Sequence, residues 1–215
     1  MGFDCFIFDF DGTLARSDAA YSAAFRHSIK LHTGQDIDEA ALAGFWGMNM
    51  TPQDMLRPYC DSDLSPMIFS FEQHYYANHH VTLSAYDGIP DALRRLKNER
   101  ALIGIVSLKP RRAGERELEI TGIAEVVDAR IWGDEVTAPK PHPAGVNKIM
   151  AQLSAVAGRT IVIGDSAADI VMGRAAGVTT GAALWGQAKH EGLLAAEPDF
   201  EFHSPDQLLS LISVS

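Results

Sequence analysis

Cys5-Phe6-Ile7-Phe8-Asp9-Phe10-Asp11-Gly12-Thr13-Leu14 is an apolar run that ends in two aspartates one residue apart and then breaks at a Gly-Thr turn. Consecutive apolar residues bounded by a turn signal read as a strand buried on both faces. In open α/β sheets, ligands bind outside the carboxyl ends of the strands. Asp9 and Asp11 therefore stand where anionic side chains can act on a substrate. Paired carboxylates there point to metal and phosphate chemistry.

Outward from this strand the rhythm changes twice. Residues 16–80 carry helix signals and no strand signal. Asp18 is placed to cap a helix bearing Tyr21, Phe25 and Ile29, and Gly34 to end it. Thr51-Pro52 and Ser65-Pro66 each set a capping residue before a proline at a first helical position. From Asp87-Gly88-Ile89-Pro90 onward, helix and strand alternate. Strands are expected at Ala101–Val106, Glu125–Ile131, Thr160–Ile163 and Val178–Leu184, with a helix before each. Such alternation predicts right-handed crossovers and a parallel sheet covered on both faces. The expected fold class is α/β, a Rossmann-like parallel sheet core (residues 1–15 and 81–215) with an all-helical cap domain (16–80) inserted after the first strand. Ser17 and Leu83-Ser84-Ala85 are the expected hinges.

A chain of 215 residues with 47% hydrophobic content is long enough for one substantial core with an insertion. Its net charge of -10 argues against nucleic acid or an anionic membrane surface as partner. An anionic substrate then needs local cations. Cys5 and Cys60 read as reduced thiols, and the short, acid-interrupted N-terminal run fits neither a signal peptide nor a membrane span. A cytoplasmic protein is expected. His74, His79 and His80 complete no zinc-site spacing.

Further polar groups stand at strand ends. Ser107 follows Ile103-Gly104-Ile105-Val106, Lys140 lies in Lys140-Pro141-His142-Pro143, and Asp165 follows Ile161-Val162-Ile163-Gly164, with Asp169 four residues on. Ser166 and Asp169 also have capping-box spacing, so Asp169 has a structural reading as well. Together these groups supply what phosphoryl transfer from a monoester requires. A carboxylate can attack phosphorus, a second can move the leaving-group proton, and a hydroxyl and an ammonium can hold phosphoryl oxygens. Carboxylate and phosphate repel, so a hard cation such as Mg2+ is needed between them.

In this order the motifs, Phe8-Asp9-Phe10-Asp11-Gly12-Thr13-Leu14 foremost, resemble the haloacid dehalogenase-like hydrolases over residues 1–15 and 85–210. Ala176-Gly177-Val178, Leu184-Trp185-Gly186 and Pro198-Asp199 resemble their phosphoglycolate phosphatase-like branch. The resemblance implies that Asp9 is nucleophile and Mg2+ ligand, and that Asp11 is general acid/base and gives its main-chain carbonyl to the metal. It implies that Ser107 binds phosphate and Lys140 orients Asp9. Asp165 is the expected direct metal ligand, with Asp169 a direct or supporting one. Ser107 stands where that family often has Thr, and Leu108 where it commonly has Asn.

The implied activity is hydrolysis of a small phosphate monoester, phosphoglycolate-like or a sugar phosphate. Arg16, Trp46 and Asn49 in the cap region are the substrate-contact candidates, Met48 lying beside them. The rivals are a sugar phosphomutase using the same aspartates and a non-catalytic binder of a phosphorylated metabolite. Oligomeric state, monomer or homodimer, stays open.

Overall fold

The run Cys5–Phe8, β1, is buried along its whole length, and its pleat sends Phe6 and Phe8 into one hydrophobic cluster and Cys5 and Ile7 into another. An unbroken apolar strand needs this cover on both faces. The computed structural model describes residues 2–43, 50–186 and 190–212. After β1 come a short strand β2 (Ala15–Arg16), helices α1 (Asp18–Thr33), α2 (Glu39–Ala43), α3 (Pro52–Leu56) and α4 (Ser65–Thr82), and a second short strand β3 (Ser84–Ala85). The remainder alternates: α5 (Ile89–Asn98), β4 (Leu102–Val106), α6 (Arg111–Ile120), β5 (Ala129–Ile131), α7 (Ala144–Leu153), β6 (Thr160–Gly164), α8 (Ala167–Ala175), β7 (Thr179–Ala183), α9 (His190–Ala195) and β8 (Phe200–Phe202).

The main sheet has six strands in the order β5-β4-β1-β6-β7-β8, and each neighbouring pair is parallel. It is the Rossmann-like α/β core expected from the alternation. β1 lies between β4 and β6, with Phe8 level with Ile105 on one side and Ile163 on the other. The chain thus leaves β1 toward one side of the sheet and later crosses to the other, which opens a crevice at the carboxyl ends of β4, β1 and β6. Ser107, Asp9 and Asp165 follow those strands directly.

Helices α1 to α4 bury a separate apolar cluster, with Phe25, Ile29, Leu56, Phe71 and Tyr75 among its members. Gly34 ends α1 in the left-handed region, φ 74°, with its amide on the Lys30 carbonyl. Thr51 and Asp54 form a reciprocal capping box on α3.

The structure departs from the sequence reading at several local points. Asp18 lies in the first turn of α1 rather than at its cap, which is Ser17. Ser65 is likewise inside α4, and Asp63 Oδ1 accepts its amide at 3.0 Å. The expected strand at Glu125–Ile131 begins only at Ala129, because Ala124–Val126 winds into a 3-10 turn. Asp128 there accepts the Ile103 amide at 2.8 Å. The flanks of the helical unit are paired to each other, Ala15 with Ala85 and Arg16 with Ser84, as an antiparallel ribbon. β8 extends the sheet beyond the last strand expected from sequence.

Candidate active site

Strand β1 delivers Asp9 to the crevice, with its amide bonded to the Ile163 carbonyl at 2.9 Å. Lys140 reaches it from the loop before α7. Its Nζ donates to Asp9 Oδ1 at 2.6 Å and to Asp169 Oδ1 at 2.7 Å. The other Asp169 oxygen accepts the Ser166 amide at 3.2 Å and hydroxyl at 2.6 Å. Asp169 therefore caps α8, as its spacing from Ser166 suggested, and anchors Lys140 at once. Asp165 accepts from the Thr13 hydroxyl at 3.3 Å.

Packing around these carboxylates leaves no room for a side chain at Gly12. A Cβ there would lie 2.1 Å from Asp165 Oδ2, and φ is +78°. Glycine is required on both counts. Burial pushes the Asp9 carboxyl up to about 7 against the opposing pull of Lys140. Asp165 is raised well above the usual carboxylate range by burial and then by the charges of Asp9 and Asp169. For Lys140, burial alone would favour the neutral amine, but the two carboxylates overcome it and raise its pKa. Asp9, Asp165 and Asp169 can each bring an oxygen within 4.8 Å of the others. Crowded hard oxygen donors with excess negative charge fit a small divalent cation such as Mg2+.

Asp11 faces a different set of partners. Its Oδ1 accepts the Ser17 hydroxyl at 2.5 Å and forms an ion pair with the Lys109 ammonium at 2.9 Å. Lys109 also binds Glu117, and its Nζ donates to the Tyr75 hydroxyl at 3.2 Å. Tyr75 in turn donates to Glu117 Oε1 at 3.0 Å. The Lys109 side chain is 1% exposed and that of Glu117 is 0%. Nζ further lies 5.1 Å from the Tyr21 ring centroid, within range of a cation–π contact. Burial raises the Glu117 pKa and Lys109 opposes it. The Lys109 pKa is itself raised, as Asp11 and its other partners outweigh the burial that would lower it.

Sequence reasoning missed Lys109, Glu117 and Tyr75. A usable signal was present. Glu117 shares a helix face with Ala113, Gly114 and Leu118, all buried, and an acid on an apolar stripe calls for a cation.

Asp9, Asp11, Tyr75, Lys109, Lys140 and Asp165 line a cavity of about 260 Å3 between the sheet edge and helices α1, α3 and α4. Ser107 lines it and is buried, with its Oγ accepting the Lys109 amide at 3.2 Å. Arg16, expected at the substrate, is not brought there. It is 40% exposed, pairs with Asp87 at 3.4 Å and lies over the Tyr86 ring at 5.0 Å. Its place in β2 turns it outward. Trp46, Met48 and Asn49 lie outside the described residues.

The family model for haloacid dehalogenase-like hydrolases matches residues 6–183. The pyrophosphatase PpaX of Oceanobacillus iheyensis is 30% identical over 215 residues, covering 100% of this chain and 99% of the relative. Among solved structures, a provisionally assigned phosphoglycolate phosphatase from Lactobacillus plantarum superposes with a TM-score of 0.84 at 23% identity, covering 99% of this chain and 100% of that one. A provisionally assigned β-phosphoglucomutase from Thermotoga maritima gives 0.81 at 20% identity, covering 96% and 97%. The chain belongs to the haloacid dehalogenase-like hydrolases. Its structural neighbours include phosphoglycolate phosphatase-like members of that family. Among the described residues, no helix is long and apolar enough to cross a membrane.

Proposed function

We propose that the chain is a Mg2+-dependent phosphatase that hydrolyses a small-molecule phosphate monoester through an aspartyl-phosphate on Asp9. The observation that carries this reading is the Asp9–Lys140–Asp169 clamp beside Asp165, with Asp11 two residues from the nucleophile in the same cavity. An Asp9 oxygen bonds to phosphorus as the ester P–O bond breaks, and the departing alkoxide takes a proton from the Asp11 carboxyl group. Asp11 then takes a proton from water as that water attacks the phosphoaspartate, releasing inorganic phosphate and free Asp9. The Ser107 hydroxyl and Lys140 ammonium hold phosphoryl oxygens and offset their charge. Asp9, Asp165, Asp169 and the Asp11 main-chain carbonyl would hold Mg2+, which when bound would supply the positive charge that lets two anions meet.

In this reading residues 16–80 form a cap over a core made of 1–15 and 81–215. Their aromatic side chains keep water from the reacting groups and contact the leaving group. The partner is a small phosphorylated metabolite, not nucleic acid. Cys5 and Cys60, both free thiols, support a reducing compartment such as the cytoplasm. A phosphomutase would share the core groups and is separated by its need for a bisphosphate activator.

The test is turnover of 4-nitrophenyl phosphate. Exhaustive chelation should abolish it and Mg2+ restore it. Folded Asp9→Asn should retain no more than about one hundredth of the wild-type rate, as expected when a group essential to the transition state is removed. Full activity in either arm refutes the reading.

A further inference from the structure

The cavity is chemically two-sided. Asp9, Ser107, Lys140 and Asp165 occupy the sheet edge, while Tyr21, Phe71, Tyr75 and Tyr76 form the facing wall on α1 and α4. A leaving group therefore sits against that aromatic wall. Among the described lining residues, the cationic side chains are Lys109 and Lys140. Lys140 is matched by Asp9 and Asp169, and Lys109 by Asp11 and Glu117. Neither has charge to spare for a second anion.

The remaining charged groups of the wall are acidic. Asp18 and Glu72 both line the cavity. An acidic residue in the first turn of α1 is favoured by the helix dipole. An ionised carboxylate can only accept. A leaving group that complements two acceptors on an aromatic wall is one that brings donors.

We infer that the leaving-group side takes an uncharged, hydroxyl-bearing alcohol, a polyol or monosaccharide, and that Asp18 is a specificity-determining residue that accepts a hydrogen bond from one of its hydroxyls. This rests on the phosphatase reading above. The tyrosine and phenylalanine faces cover the carbon skeleton, their apolar bodies suiting C–H surface. Asp18 and Glu72 repel a leaving group that carries a carboxylate or a second phosphate, so selection works by exclusion as well as by attraction. Pyrophosphate, the substrate in the name of the Oceanobacillus relative, is then a poor fit to this wall.

The experiment compares kcat/KM for glycerol phosphate and hexose monophosphates with that for phosphoglycolate and pyrophosphate, at saturating Mg2+, on wild type, Asp18→Asn and Asp18→Ala. Wild type should favour the best uncharged alcohol by about tenfold or more, the scale at which a site discriminates by one hydrogen-bonding group or charge. Asp18→Asn should shrink that preference by about tenfold, chiefly through KM, because it removes the charge and one acceptor while keeping the shape. Asp18→Ala should act in the same direction. Pyrophosphate or phosphoglycolate leading in wild type overturns the inference while leaving the phosphatase reading intact. An unmoved preference in both folded variants also overturns it. If wild type turns over no ester, 4-nitrophenyl phosphate included, the phosphatase reading falls and takes the inference with it.

Discussion

Lys140 and Lys109 are both buried ammonium groups clamped between two carboxylates, yet the clamps are built on different scales. Lys140 binds Asp9 and Asp169, all belonging to loops and a helix end at the edge of the main sheet. Lys109 binds Asp11 and Glu117 but also Tyr75 of α4, so it ties the sheet edge to the helical unit. The first clamp leaves excess negative charge, with Asp165 alongside, and so suits a cation. The second sits under tyrosine rings and is closed to one. In the proposed mechanism similar ion pairing holds the nucleophile in one place, and in the other it joins two packed units around Asp11.

Removing the first clamp should have the largest effect on activity. Lys140→Met takes away a positive charge aimed at the transferring group, and kcat for 4-nitrophenyl phosphate should fall by about 100- to 1,000-fold, as for loss of one preorganised charge-stabilising donor. A smaller loss would separate Lys140 from the reacting phosphoryl group.

Removing the second should show first in stability. Lys109→Met leaves Glu117 buried and unpaired, and breaking such a pair costs about 3–5 kcal/mol. Denaturant unfolding should show that loss with or without Mg2+, whereas the instability of Lys140→Met should shrink when Mg2+ is added. If Mg2+ rescues both variants equally, the two clamps are not distinct.

The charge excess at Asp9 and Asp165 also sets a pH dependence. Their folded-state pKa values are raised, Asp9 to about 7, so between the unfolded carboxylate value near 4 and pH 7 the folded protein binds more protons than the unfolded chain. Metal-free stability should therefore fall as pH rises across that window. Melting curves in EDTA and in Mg2+ test this, and the gain from Mg2+ should be larger at pH 8 than at pH 5. An equal gain at both would mean the carboxylates are not what the cation relieves. The smallest effect belongs to Arg16→Ala. An exposed pair with Asp87 contributes at most about 1 kcal/mol, and ester preference should stay unchanged. A shifted preference would bring Arg16 back to the substrate.

The first clamp was the more legible in sequence. Asp9, Ser107 and Asp165 each end an apolar strand, and strand ends in a parallel sheet share one edge, so local pattern and topology together locate them. Nothing local marks Lys109, which stands before Pro110, because its partners lie at Glu117 and Tyr75, and only tertiary packing brings α4 over α6. Arg16 invited a substrate role through its place at the hinge of the helical unit. The turn into β2 points it elsewhere. Two-residue strands such as β2 and β3 carry no periodicity to read, and β8, with Phe200 and Phe202 flanking Glu201, is too short to separate from a loop.

The ribbon of β2 and β3 has a bearing on how the chain finds its fold. β1 must pair with β4 across the whole helical unit, a long loop to close before any sheet contact forms. Once α1 to α4 gather around their own apolar cluster and Arg16 meets Ser84, the effective loop shrinks to residues 9–14 and 86–101, with α5 within the second stretch. Loop-closure entropy depends on that shortened path, so early assembly of the helical unit hastens the central strand pairing, and loosening the ribbon should slow refolding before it weakens the native state.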